Sequence, residues 1–240
     1  MNIPKKIHYC WFGGNKLPDI SMRCIESWKK YCPDYEIILW DETNTDLSSC
    51  LFAKEAYEAE KWAFVSDYIR LKVVEEHGGI YLDVDVELIK PLDDFITHEG
   101  FMGFEQAKPY YINTGLGFGA VPGHPVIKEL VKNYEQSTFI KEDGDFDMLP
   151  CPKRDSIILE SLGLSLDNSK QVLMGIVIYP YNYFCPISLV GDENFTDETV
   201  SIHHFNASWF SPKQKRKKNI IKILKKVIGE NYYNKLKKLL

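Results

Sequence analysis

The stretch from Gly78 to Leu88, Gly-Gly-Ile-Tyr-Leu-Asp-Val-Asp-Val-Glu-Leu, constrains this chain more than any other. From residue 82 it alternates strictly. Leu82, Val84, Val86 and Leu88 fall on one side, and Asp83, Asp85 and Glu87 on the other, which predicts a strand over 80–88. Aspartate is disfavoured in strands, and two on one face lie about 7 Å apart at the usual rise per residue. Their repulsion destabilises the strand unless a cation or a solvated edge relieves it. Two readings stand side by side. One is a hard divalent cation held by the carboxylates together with phosphate oxygens of a bound molecule. The other is a half-exposed strand with an acidic outer face. Gly78-Gly79, just before the strand, lets backbone approach closely.

The segment before these glycines carries a second charged pair. Trp62, Val65, Ile69 and Val73 recur every three to four residues, which predicts one long helix or two consecutive ones over 53–77. Asp67 and Arg70 lie one turn apart on one face. A surface pair of this kind contributes only ~0.3–0.5 kcal/mol. Their neighbours Trp62, Ala63, Phe64, Val65, Tyr68, Ile69 and Leu71 are apolar around most of the circumference, so the helix is expected to be buried. A buried Asp–Arg pair needs a reason, and a hydroxyl-rich ligand supplies one, since Asp accepts from hydroxyls and Arg donates to oxygens.

Further strands are predicted over 7–12, 35–40, 101–105, 112–120, 172–179 and 200–205, and helices over 20–31, 124–136 and 154–162. Strands alternating with helices predict an α/β domain with a mostly parallel sheet. The six cysteines, Cys10, Cys24, Cys32, Cys50, Cys151 and Cys185, form no C-x-x-C pair and read as small buried hydrophobes. Charge is unevenly spread: residues 1–212 carry a net −15 and residues 213–240 a net +10. The expected organisation is therefore a domain over 1–212 and a basic segment over 213–240. In that segment Ile220, Ile221, Leu224, Val227, Ile228, Tyr232, Leu236, Leu239 and Leu240 fall at helical steps against a lysine face. An anionic membrane surface and the domain itself are the two partners this pattern suits. The acidic body excludes nucleic acid as the main partner. No apolar run reaches the roughly 20 residues of a membrane span, and no signal-peptide core opens the chain. The expectation is a cytoplasmic protein, peripheral at the inner face of the membrane.

Four blocks in this order resemble the DXD-containing sugar transferases: Ile7-His-Tyr-Cys-Trp-Phe-Gly-Gly14, Val65-Ser-Asp-Tyr-Ile-Arg70, Gly78-Gly-Ile-Tyr-Leu-Asp-Val-Asp85 and His203-His-Phe-Asn-Ala-Ser-Trp209. They span most of the chain. The resemblance implies a GT-A fold, a nucleoside-diphosphate sugar donor such as a UDP-hexose, Mn²⁺ or Mg²⁺, and transfer with retention to a sugar hydroxyl. The acceptor it implies is a growing polysaccharide, of the capsule or lipopolysaccharide kind, or a lipid-linked glycan. It also implies roles. Trp11, with Cys10 beside it, stacks on the base. Asp67 and Arg70 hold donor-sugar hydroxyls, and Tyr81 and Asp83 contact ribose and sugar. Asp85 binds the metal directly, with Asp83 and His204 completing its set. Ser208 and Trp209 close over the diphosphate. Imidazole is a softer ligand than carboxylate, which favours Mn²⁺. Asn113, in the glycine-rich Tyr-Ile-Asn-Thr-Gly-Leu-Gly-Phe-Gly119, is expected to line the donor pocket, and Asp155 the acceptor side. Two other classes use parts of this set: a metal-dependent nucleotide phosphohydrolase or nucleotidyltransferase, and a non-catalytic sugar-binding module.

Overall fold

A computed structural model describes residues 2–205. Ser208, Trp209 and the basic segment 213–240 lie outside the described residues. The strands are β1 (Lys6–Cys10), β2 (Glu36–Trp40), β3 (Gly79–Tyr81), β4 (Val86–Leu88), β5 (Gly100–Gly103), β6 (Phe118–Ala120), β7 (Gln171–Leu173), β8 (Ile176–Tyr179) and β9 (Ser201–His203). The helices are α1 (Asp19–Tyr31), α2 (Leu51–Glu58), α3 (Trp62–His77), α4 (Pro125–Glu135) and α5 (Cys151–Ser161). Seven strands form one mixed sheet in the order β2-β1-β3-β6-β5-β8-β7, and β4 pairs with β9 apart from it. The pairs β1–β2, β1–β3 and β5–β8 are parallel, and β6 runs antiparallel between β3 and β5.

The period of two assigns the sheet's side chains to two cores. Tyr81, Met102, Ile176 and Ile178 face α2, α3 and α4, while Ile80, Phe101, Val177 and Tyr179 face the layer containing α1. Such two-sided burial is why these strands are short apolar runs. In α1, Cys24, Ile25 and Trp28 are buried at helical spacing, with Asp19 in the first turn and Lys29 and Lys30 in the last, matching the helix dipole. All six cysteines are free and buried.

The expected strand 80–88 is two strands in two sheets. β3 ends at Tyr81, a turn closed by Val86 N–H on Asp83 C=O (3.0 Å) follows, and β4 leaves to pair with β9. Asp83 and Asp85 thus sit on a turn rather than on a strand face. The alternation of Leu82, Val86 and Leu88, all buried, reflects packing against the α1 layer and not a single ladder. Similarly, only Phe118–Ala120 of the expected strand 112–120 joins the sheet. The expected strand 172–179 is a hairpin, bent at Met174-Gly175 with φ positive at both residues. The helix over 53–77 is two, α2 and α3, broken at Glu60 with φ 56°.

Candidate active site

The site lies where the parallel strands β1 and β3 end, the edge at which open α/β sheets bind ligands. Register builds it. Leu82 N–H continues the ladder to His8 C=O (3.1 Å), so residue 83 is the first free of the sheet. Asp83 N–H then bonds Gly115 C=O (3.2 Å). Val86 pairs with His203, and His204 N–H bonds Asp85 C=O (3.0 Å), so the 203–204 segment is delivered beside the acidic turn.

Arg70 is the hub on α3. Its Nη2 lies 3.0 Å from Asp67 Oδ1 and 3.2 Å from Asp83 Oδ1, its Nε donates to Ser66 C=O, and its guanidinium sits over the Tyr81 ring. The Tyr81 hydroxyl donates to the same Asp83 Oδ1 at 2.9 Å. Burial would lower the Arg70 pKa, but Asp83, Tyr81 and Asp67 hold it well above its usual value. Asp67 is pushed up to about 6 by burial, against the pull of Arg70. Asp83 is raised for the same reason, opposed again by Arg70. One guanidinium thus stands between two carboxylates that would otherwise protonate.

Ligand atoms of Asp83, Asp85 and His203 all lie within 4.8 Å of one another. His203 Nε2 is 3.1 Å from Asp85 Oδ1. Neighbouring ligands on an octahedral small divalent ion lie about 3.0 Å apart, so the spacing fits a shared cation. His203 is 8 % exposed, and its Nδ1 has no hydrogen-bond partner among the described residues. Burial works against charging this ring, yet the charge of Asp85 and its hydrogen bond, with Asp83 and Glu105 nearby, raise its pKa overall. Two carboxylates and an imidazole are a donor set that a divalent cation can take. His204 is turned the other way, with Nε2 2.8 Å from Glu87 Oε2. The candidate metal set that the geometry gathers has His203 beside the two aspartates, where the resemblance implied His204. The reason is the pleat: adjacent residues of an extended segment face opposite sides.

The other expected residues are placed as follows. Trp11 is half-buried just past β1, and its indole N–H donates to Asn15 C=O. Cys10 is 5 % exposed, and burial pushes its thiol up to about 12, so it is a neutral packing residue. Tyr81 is 1 % exposed and acts on Asp83 rather than at the surface. Asn113 is 7 % exposed and committed at both ends of its amide: Nδ2 donates to Glu105 Oε2 and Oδ1 accepts from Gly115 N–H, both at 2.7 Å. It clamps the 113–115 turn against Asp83. Asp155 does not reach an acceptor surface. It is 1 % exposed and takes bonds from the Thr114 and Tyr134 hydroxyls, and burial pushes it up to about 7.

Sequence reasoning missed three residues. A Cβ on Gly115 would lie 2.2 Å from Asp83 Oδ2 and 3.0 Å from Arg70 Nη1, so only glycine fits beneath the acidic turn. Cys151, at the start of α5, places Sγ 3.7 Å from Arg70 Nη1. Glu105 holds Asn113. Of these only Gly115 left a sequence signal, its place in a glycine-rich run.

A mixed sheet with an acidic turn, a guanidinium hub and an imidazole at its edge has the architecture of the GT-A type fold. Residues 18–102 match the family model described as the glycosyltransferase sugar-binding region containing the DXD motif. An inositol phosphoceramide mannosyltransferase of Schizosaccharomyces pombe is 28 % identical over 145 residues, 57 % of this chain and 38 % of that protein. A mimivirus protein named as an uncharacterized glycosyltransferase is 26 % identical over 244 residues, 96 % of this chain and 90 % of its own. The chain spans about two-fifths of the length of the yeast relatives it matches. Among solved structures, one titled PaToxG glycosyltransferase superposes with a TM-score of 0.50 at 19 % identity, covering 67 % of this chain and 70 % of that one, a likeness of fold.

Proposed function

We propose that this chain is a metal-dependent retaining glycosyltransferase that moves a hexosyl group from a nucleoside-diphosphate sugar to a sugar hydroxyl of a glycan or lipid-linked glycan. The observation that carries the reading is the convergence of Asp83, Asp85 and His203 in front of the Asp67–Arg70–Asp83 ion network. Asp83, Asp85 and His203 would hold the divalent ion, which when bound acts as a Lewis acid against charge building on the leaving diphosphate. Arg70, fixed on two carboxylates, orients Asp83 and presents its one uncommitted N–H to the donor. Asp67 accepts from donor-sugar hydroxyls. Trp11 supplies the surface on which the base stacks. Front-side attack by the acceptor hydroxyl needs no protein nucleophile, with the leaving phosphate taking the proton. Ser208 and Trp209 are assigned to the diphosphate by the resemblance.

The yeast relatives' names, which pair mannosyl transfer with an inositol phosphoceramide, support a lipid-borne hydroxyl as acceptor, and the basic segment 213–240 supports residence at an anionic surface. The test is incubation with a panel of nucleotide sugars, Mn²⁺ and sugar acceptors, following nucleoside-diphosphate release and glycosylated product. Acceptor-stimulated release with one sugar nucleotide is expected. Cleavage of plain nucleoside triphosphates, with no glycosylated product, would replace this reading with the phosphohydrolase one.

A further inference from the structure

We propose that Glu42 reads the donor's base: its carboxylate accepts the ring N–H of uracil or guanine and rejects cytosine and adenine, which carry a lone pair there. The proposal rests on the nucleotide-sugar reading above and specifies the nucleotide. Strand order gives the place. β2, β1 and β3 are neighbours running parallel, so their C-terminal ends share one edge. The acidic turn follows β3, Trp11 follows β1, and Glu42 follows β2 by two residues. Neighbouring strands are about 4.8 Å apart, so Glu42 stands roughly 10 Å along that edge from the diphosphate end. A nucleoside laid across Trp11 spans that distance and puts its base edge at Glu42.

The loop after β2 holds four side chains of this polar kind, and three are spent on their own turns. Asp41 takes Thr43 N–H and hydroxyl, Asn44 bonds Asp41 N–H and Leu39 C=O, and Asp46 takes Ser48 N–H and hydroxyl. Glu42 instead reaches back to the β1 loop, where Oε1 accepts Gly13 N–H at 2.5 Å. Its second oxygen has no hydrogen-bond partner among the described residues. The anchor is rigid: Gly13 has φ +89°, and a Cβ there would lie 2.7 Å from the Trp62 ring, so the turn is held between Trp62 and Glu42. A fixed, half-buried carboxylate is an acceptor only. It repels phosphate, and the part of the donor that belongs beside it is one that offers a hydrogen.

Substitution by glutamine gives a sharp test, because the pinned position fixes which way the amide lies. In Glu42→Gln the side-chain oxygen keeps Gly13 N–H, and the NH₂ replaces the free oxygen. The full chain with Mn²⁺ is titrated calorimetrically with UDP, CDP, GDP, ADP and 2′-deoxy-UDP. Wild type is expected to bind UDP over CDP, or GDP over ADP, by roughly tenfold, the size of one charge-assisted hydrogen bond. In Glu42→Gln, with unchanged melting temperature, that ratio is expected to fall to one or reverse. An unchanged ratio in Glu42→Gln overturns the proposal. A wild-type penalty on 2′-deoxy-UDP that vanishes in Glu42→Gln also overturns it, assigning Glu42 to the ribose. Binding all the diphosphates alike sinks the Glu42 proposal and keeps the nucleotide-sugar reading. A folded chain that binds none of them sinks both.

Discussion

At the scale of single residues the site is a balance of like charges around one cation, Arg70, with room for a second. Asp85→Asn keeps the shape and removes a charge that the divalent ion needs. It should abolish Mn²⁺-dependent turnover, and Mn²⁺ with UDP should no longer raise the melting temperature. In wild type, a ligand at about 100 times its dissociation constant adds ~2.7 kcal/mol, or a rise of ~5–10 °C at ~2–4 °C per kcal/mol. A folded Asp85→Asn protein that keeps the Mn²⁺ rise and its turnover would remove the metal reading. The two histidines separate by geometry: His203→Ala is expected to weaken Mn²⁺ half-saturation by at least ~10-fold, whereas His204→Ala, which loses a half-exposed contact to Glu87, should change it little. Equal effects would return His204 to the ligand set. Gly115→Ala forces Asp83 aside, since the new Cβ has no room, and should cost ~1–3 kcal/mol of stability along with most activity. The carboxylates and Arg70 were legible in the sequence because charged residues in apolar surroundings are conspicuous. Cys151 and Glu42 were not, because each acts through a partner far away in the chain, and Glu105 was not, because only the folding back of the 105–113 segment brings it to Asn113.

At the scale of elements, the α/β alternation, α1, α4 and the break after residue 77 follow directly from apolar periodicity and glycine. The acidic stretch was misread as one strand because burial alternates through a turn just as it does through a ladder; which strand pairs with which is a tertiary property. What holds the site end of the sheet in register is His8. Its Nε2–H donates to Gly78 C=O at 2.8 Å, and its Nδ1 accepts from the Trp40 indole at 3.1 Å, a neutral tautomer fixed by both partners. It ties β1 to β2 and to the α3–β3 junction. Burial lowers its pKa to about 4. A folded pKa below the unfolded one means the folded state binds fewer protons. The contribution is fully present above the ordinary value near 6.5 and is lost as pH falls toward 4, at most ~3 kcal/mol. Asp67 and Asp155, both raised by burial, slope the other way as pH rises through 6 to 7, so whole-protein stability will not isolate His8. The difference in urea stability between wild type and His8→Gln, measured at pH 7 and pH 4.5, will. It should shrink by ~1–3 kcal/mol on acidification, and a constant difference would show that His8 is not held neutral.

At the scale of the whole molecule the dominant feature is the charge asymmetry, an acidic body of net −15 joined to a basic segment of net +10. A uniform surface of net −5 would be repelled by an anionic membrane; this arrangement lets one end bind while the body stays off it. Lysines and arginines near an anionic surface contribute about 1 kcal/mol each before screening, and residues 213–240 carry 11 of them at apolar helical spacing. Micromolar partitioning calls for ~8 kcal/mol, so about eight of the eleven must engage, or fewer where the apolar stripe is buried as well. Among the described residues no helix is long and apolar enough to cross a membrane. The protein is therefore expected to sediment with vesicles containing anionic lipid and not with neutral ones, and to be released as salt shortens the Debye length from about 10 Å at 0.1 M to about 3 Å at 1 M. Ending the chain after Pro212 should abolish sedimentation while sparing transfer to a soluble acceptor, because the Asp83–Asp85–His203 set is complete without it. If the shortened chain lost transfer to soluble acceptors as well, the segment, or Trp209 through it, would belong to the active site rather than to the membrane. Binding to both vesicle types alike would point to apolar insertion without charge recognition.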